Sequence, residues 1–331
     1  MNRPLLICLT STRNYGWVTS AFLKANSLWA DYIIMVDQMS TDGTREMALN
    51  NPKVILLDNE DLSYSETKRS EMAINRAREI EGDKILIYLA IDEVLSANYF
   101  QTNDWERILK SKPGDVFCMY WANLVADKKH FFSMCQTDGS IFWMARIFHD
   151  DGITPYDNEG LDMHTHCIPY PKENVKEFYI NDFTILHFSF FSEKWNNAKQ
   201  RFYQFVDFDK NNRSIITLSR MYKRPFNWEL KETPISWIYK ETDNNFYLFN
   251  EVNTDDIPIL DYAILDFIKS NGIMRYRKLN VWDNSLLNDF KINDPRNLFY
   301  KIIHFYLNTT YKYTNRIIIR VVDKILKKMG L

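Results

Sequence analysis

Four short apolar runs, at 5–10, 32–36, 53–57 and 85–89, punctuate the first hundred positions, and stretches with helical spacing of apolar residues separate them. That alternation predicts a parallel sheet with helices on both faces. After the first run, Val18, Ala21, Phe22, Ala25, Leu28 and Trp29 form the expected inner face of a helix. Further on, Ser63-Tyr64-Ser65-Glu66 has capping-box spacing and opens a helix with apolar positions Ala73, Ala77 and Ile80 and with Arg69 in its first turns. From 115 to 190 the pattern becomes strand-rich, with runs at 116–121, 141–148 and 183–190. A helix is predicted over 193–206, whereas 221–300 mixes Trp, Tyr, Pro and acidic residues without clear periodicity. The segment 315–329 is helical again, with Ile318, Val321, Val322, Ile325 and Met329 on one face and Arg316, Arg320, Lys324 and Lys327 on the other. These shifts divide the chain into a domain at 1–210, an accessory segment at 211–300 and a basic amphipathic C-terminal helix at 301–331.

Two of the early runs end in acidic residues. The second closes on Asp37 and turns through Gln38-Met39-Ser40-Thr41-Asp42-Gly43 into Thr44, and the fourth closes on Ala90-Ile91-Asp92-Glu93. An open α/β sheet presents its ligand site at the carboxyl ends of its strands, so two acidic ends point to one ligand there. Asp42 and Gly43 read as turn chemistry, because Asp tolerates and Gly favours left-handed backbone.

The stretch Asp37 to Thr44 resembles the D-x-S-x-D-G-T signature of family-2 glycosyltransferases, GT-A-fold members of the nucleotide-diphospho-sugar transferase superfamily. The likeness covers roughly residues 4 to 100 and fades afterwards. It implies an α/β, Rossmann-like, mostly parallel mixed sheet flanked by helices, with a helical C-terminal extension. It also implies sugar transfer from a nucleoside diphosphate to a glycan or lipid-linked acceptor hydroxyl, with inversion, in bacterial surface-polysaccharide or lipopolysaccharide assembly. By resemblance, Thr10, Arg13, Asp37 and Arg69 face the nucleotide, and a guanidinium fork such as that of Arg69 suits phosphate. Asp92, in a segment similar to the family's D-x-D-E, and His187 would hold a divalent cation, Mn or Mg. Glu159 or Asp162 would take the acceptor proton as catalytic base. Lys199 and Arg201 are further candidates for the diphosphate. The chain departs from the pattern at Ala90, where the family has its first acid, and at Gly160, where it has the acid of a later pair. Both departures keep open an alternative: a catalytically weak or inactive nucleotide-sugar-binding scaffold.

At 331 residues and 46% hydrophobic, the chain can bury an ample core. Its 15% aromatic share adds rings suited to stacking on bases and sugars. A net charge of −2 gives no reason to expect nucleic acid as a partner. From 301 onward, however, seven cations face the single acid Asp323, which suits peripheral membrane contact through the C-terminal helix. Cys8, Cys118, Cys135 and Cys167 show no C-x-x-C spacing, so neither a zinc knuckle nor a disulfide framework is signalled. No apolar run approaches the roughly 18 residues of a membrane span, and the run at 5–9 is too short for a secretory signal, so a cytoplasmic protein is expected. Phosphate-loop, dinucleotide-fingerprint and nucleophile-elbow motifs are absent from the sequence. A nucleotidyltransferase would share the sheet but would show a glycine- and basic-rich loop where this chain has Thr10-Ser11-Thr12-Arg13-Asn14.

Overall fold

The computed structural model describes residues 3–63, 65–135, 140–157, 166–211, 213–222, 229–240, 246–254 and 258–331. Two compact units emerge, one of Met1–Ser192 with Trp228–Asp256, the other of Glu193–Asn227 with Ile257–Leu331.

The first unit opens with β1 (Leu5–Thr12), α1 (Gly16–Asn26), β2 (Tyr32–Asp37), α2 (Thr44–Leu49), β3 (Val54–Asp58), α3 (Glu66–Arg78) and β4 (Lys84–Tyr88). The four expected early strands are therefore present, and β1, β2, β3 and β4 pair in parallel. Both faces of β1 are buried: Leu6 and Cys8 pack with Phe22 and Leu23 of α1, while Ile7 and Leu9 pack with Ala73, Ile74 and Ala77 of α3. A continuous apolar run, not an alternating one, is what such a doubly covered strand requires. Leu28 falls beyond the end of α1 and is 45% exposed, so it does not belong to the inner face assigned to it.

The chain continues through β5 (Glu93–Leu95), α4 (Asn103–Leu109), β6 (Asp115–Met119), β7 (Trp121–Leu124), β8 (His130–Ser133), β9 (Met144–His149), β10 (Lys176–Tyr179) and β11 (Ile185–His187). The main sheet runs β10-β6-β9-β4-β1-β2-β3, with β9 antiparallel to both neighbours, so the expected mostly parallel mixed α/β sheet flanked by helices is observed. The run expected at 116–121 is split, because β6 stays in the main sheet while β7 joins a second sheet with β11, β5 and β8. That second sheet carries Asn123 and His187 of the candidate site.

The second unit begins with α5 (Glu193–Asn211) and α6 (Ile215–Tyr222). Back in the first unit, β12 (Lys231–Glu232) pairs with β8, and the one-turn α7 (Ile235–Ile238) leads to the short ladder of β13 (Tyr239–Lys240) and β14 (Phe246–Tyr247). The second unit resumes with α8 (Ile259–Asn271), α9 (Ile273–Tyr276), α10 (Asn284–Asp289), α11 (Leu298–Thr310) and α12 (Ile317–Lys328). Its core gathers Phe205, Ile216, Ile264, Tyr276, Leu279 and Trp282, among others. Helix α5 thus groups with the C-terminal helices, whereas the sequence reading ended its first domain at 210. The segment read as aperiodic contains α8, α9 and α10; the latter two, of 4 and 6 residues, are too short to show a helical period.

Candidate functional site

The carboxyl ends of β1, β2 and β4 lie along one edge of the main sheet, with β1 between the other two. Asp37 is fully buried there, and its carboxylate is engaged by its own turn. Ser40 donates from its backbone N–H at 2.9 Å and from its hydroxyl, and Arg45 on α2 forms an ion pair at 2.7 Å. Asp42 clamps two helix starts together: Oδ2 accepts from Gly16 N–H of α1 at 2.8 Å, and Oδ1 accepts from the Thr44 hydroxyl of α2 at 2.6 Å. Asn14 ties the loops further, donating N–H to Ser40 Oγ and accepting from Thr41 N–H. Gly43 has φ +89°, the left-handed geometry foreseen for it. The polar atoms of this signature are thus largely spent on shaping the loop between β2 and α2.

Thr10 is fully enclosed on the β1 face shared with Cys8, and its hydroxyl and that of Thr12 have no hydrogen-bond partner among the described residues. Arg13 is half-buried and donates to the Leu62 carbonyl at 3.3 Å. Ser65 caps α3, accepting from Lys68 N–H, and the buried Arg69 donates Nε–H to the Ser65 carbonyl at 3.2 Å.

The turn after β4 brings acid and imidazole together. Asp92 and Glu93 are both almost fully buried. Strand β11 pairs antiparallel with β5 and parallel with β7, in a register that sets His187 opposite Glu93 on one side and Asn123 on the other. His187 Nδ1 lies 2.8 Å from Asn123 Oδ1, and Asn123 Nδ2 donates to the Phe132 carbonyl, which assigns Oδ1 as the acceptor. Nδ1 therefore carries the proton, and Nε2 faces Asp92 Oδ2 across 3.4 Å. An imidazole nitrogen and a buried carboxylate oxygen thus face each other within ion-pair distance. Trp121 stacks on the His187 ring at 5.5 Å and Phe190 meets it edge-on, fixing its plane.

Glu93 is occupied elsewhere. Its Oε2 accepts from Ala90 N–H at 2.9 Å, its Oε1 accepts from Trp121 Nε1–H at 2.7 Å, and Arg146 lies 3.5 Å away. The buried Arg146 guanidinium stands 5.2 Å from the ring centroids of both Tyr88 and Trp121. Burial works against its charge, but Glu93 and its other neighbours raise its pKa on balance. Glu93 thus braces the Asp92 turn internally. Neither acid opens a helix; Glu93 begins β5.

The sequence reading missed Trp121, Asn123 and Arg146 as parts of this site. Their signal was a polar or amphipathic residue inside an apolar strand, which becomes informative only when pairing shows what it faces. Glu159 and Asp162 lie outside the described residues. Arg201 is not available to a diphosphate: it is buried in the second unit, ion-paired with Asp261 at 2.6 Å and Asp283 at 2.9 Å. Among the described residues, no cluster of three or more His, Cys, Asp or Glu side chains could hold a metal ion by itself.

No family model matches this chain, and no curated protein matches it. Among solved structures, it is similar to a 4-diphosphocytidyl-2C-methyl-D-erythritol synthase, at 10% identity and a TM-score of 0.32 over 45% of this chain and 76% of that one. It is similar to the inositol-1-phosphate CTP transferase from T. maritima, at 9% identity and a TM-score of 0.35 over 55% of this chain and 89% of that one. A third, the 4-diphosphocytidyl-2C-methyl-D-erythritol synthase from Anaerococcus prevotii DSM 20548, aligns at 9% identity and a TM-score of 0.28 over 54% and 88% of the two chains.

Proposed function

We propose that this chain is a family-2-like glycosyltransferase, moving a sugar from a nucleoside diphosphate to a glycan or lipid-linked acceptor hydroxyl, with inversion, in bacterial surface-polysaccharide or lipopolysaccharide assembly. The observation that carries the reading is the facing pair of Asp92 Oδ2 and His187 Nε2 at 3.4 Å, at the carboxyl end of β4 in a mostly parallel sheet. The donor set fits a divalent cation that completes its shell with donor phosphates, since such ions commonly take only one or two protein carboxylates. One imidazole in the set suits a transition ion, which favours Mn over Mg. Bound there, the cation would offset the charge that builds on the departing diphosphate.

The chain's own residues divide the remaining work. Asp92 and His187 would hold the cation, with Asn123 fixing the histidine tautomer as metal-binding histidines require. Arg13 and Arg69 would face the phosphates; Asp37 would receive a base or ribose hydroxyl on what remains of its Oδ1 capacity; Thr10 would contribute its unpartnered hydroxyl. Glu159 or Asp162 would take the acceptor proton.

Thermal unfolding with UDP, GDP, dTDP, CDP and CMP, each with and without Mn, tests this first. A ligand at a hundred times its dissociation constant adds about 2.7 kcal/mol, so one nucleotide should raise the midpoint in a Mn-dependent way. Asp92→Asn should then abolish turnover. Unchanged Mn affinity and turnover in both Asp92→Asn and His187→Ala would overturn the assignment. A second reading, a nucleotide-sugar-binding scaffold with little or no activity, is favoured by Ala90 and by the full occupation of Glu93. In that case Asp92→Asn alters ligand-linked stability alone.

A further inference from the structure

We infer that the outer face of α12 is an interfacial helix that docks on an anionic lipid surface. Helix α12 packs on the second unit through the half-buried Ile319, Val322, Asp323 and Leu326, and Leu331 is buried in the core just beyond its end. On the outside lie Ile317, Ile318, Val321, Ile325 and Met329, which are 51–80% exposed. A helix of a soluble monomer turns its apolar stripe inward and its charges outward. This one has a second apolar stripe that nothing among the described residues covers.

The charges beside that stripe identify what does. Asp323, the tail's only acid, is turned inward, where Arg220 binds it at 2.9 Å and the Tyr306 hydroxyl donates to it at 2.9 Å. Arg316, Arg320, Lys324, Lys327 and Lys328 are all exposed, and none forms an ion pair among the described residues. The outer surface of α12 is thus apolar on one strip and purely cationic on the next. That pairing sinks apolar side chains to the acyl boundary while cations meet anionic headgroups. Helix α11 likewise leaves Leu298, Ile302 and Phe305, spaced along one helical face, each more than half exposed. Among the described residues no helix is long and apolar enough to cross a membrane, so the contact is one of lying on the surface. A second copy of this chain is a poor occupant, because a two-fold interface through this face would bring like charges together.

The proposal does not rest on sugar transfer, and its test reads none. The full chain is sedimented with vesicles of phosphatidylcholine alone or mixed with phosphatidylglycerol. It should pellet with the anionic vesicles and be released by salt. Ile318→Ser, Val321→Ser and Ile325→Ser combined should abolish pelleting at an unchanged urea midpoint. Arg320→Gln, Lys324→Gln and Lys327→Gln combined should weaken partitioning on the order of 100-fold. Failure to pellet with anionic vesicles would overturn the proposal, as would pelleting that the apolar triple leaves intact. So would a concentration-dependent dimer that the apolar triple dissolves, which would make this face a contact between copies.

Discussion

At the scale of single residues, the stretch from Asp37 to Thr44 is foremost a piece of loop carpentry. Asp42 satisfies Gly16 N–H and the Thr44 hydroxyl at once, so Asp42→Ala should cost about 1–2 kcal/mol in urea denaturation, the loss expected for a helix-start acceptor. Gly16 is glycine for want of room: a Cβ there would stand 2.7 Å from the Asp42 backbone carbonyl. Gly16→Ala should therefore destabilise by about 1–3 kcal/mol, as overpacking does. Asn123, on the neighbouring strand, fixes the His187 tautomer. If Asp92 and His187 hold Mn as proposed, Asn123→Ala should weaken its binding about 10–100-fold in titration calorimetry. Asp294 supplies a pH test. The hydrogen bond from Arg296 holds its pKa down at about 2, below the ordinary aspartate value of about 3.9. Between those values the unfolded chain binds more protons, so the stabilisation is complete above about pH 4 and lost as pH falls to about 2. The Tm gap between the wild type and Asp294→Asn should close over that window.

At the scale of elements, local chemistry explains most boundaries. Ser65 caps α3 by accepting from Lys68 N–H, so Ser65→Ala should cost about 1 kcal/mol and loosen the turn that carries Arg69. Strands β1, β2 and β4 were legible because strands buried on both faces must be apolar throughout, which is visible in any short window. The break between β6 and β7 was not legible. Its residues read as one apolar run from Val116 to Trp121, and only hydrogen bonding to different partners sends the two halves into different sheets. The apolar stripe of α12 was legible as a period, but which side faces inward was not. The inner contacts fall on Ile319 and Leu326, while Ile318 and Ile325 stay exposed.

At the scale of the molecule, two units have separate cores and separate vulnerabilities. The second is held in part by Arg201, buried between Asp261 and Asp283. Arg201→Met would leave Asp261 charged and unpaired in the interior, at a cost of about 3–5 kcal/mol. Hydrogen exchange should show protection lost first in α5 and α8. By itself, the sequence determined the strand positions of the first hundred residues, the turn at Asp42-Gly43 and the amphipathic character of the tail, because each depends on residues adjacent along the chain. Only the tertiary structure decided that Glu93 is spent on Trp121 and Ala90, that Asn123 orients His187 against Asp92, and that Arg201 belongs to a core. Those facts are pairings across strands and helices far apart in sequence, and a residue's partner, unlike its period, is not written in its neighbours.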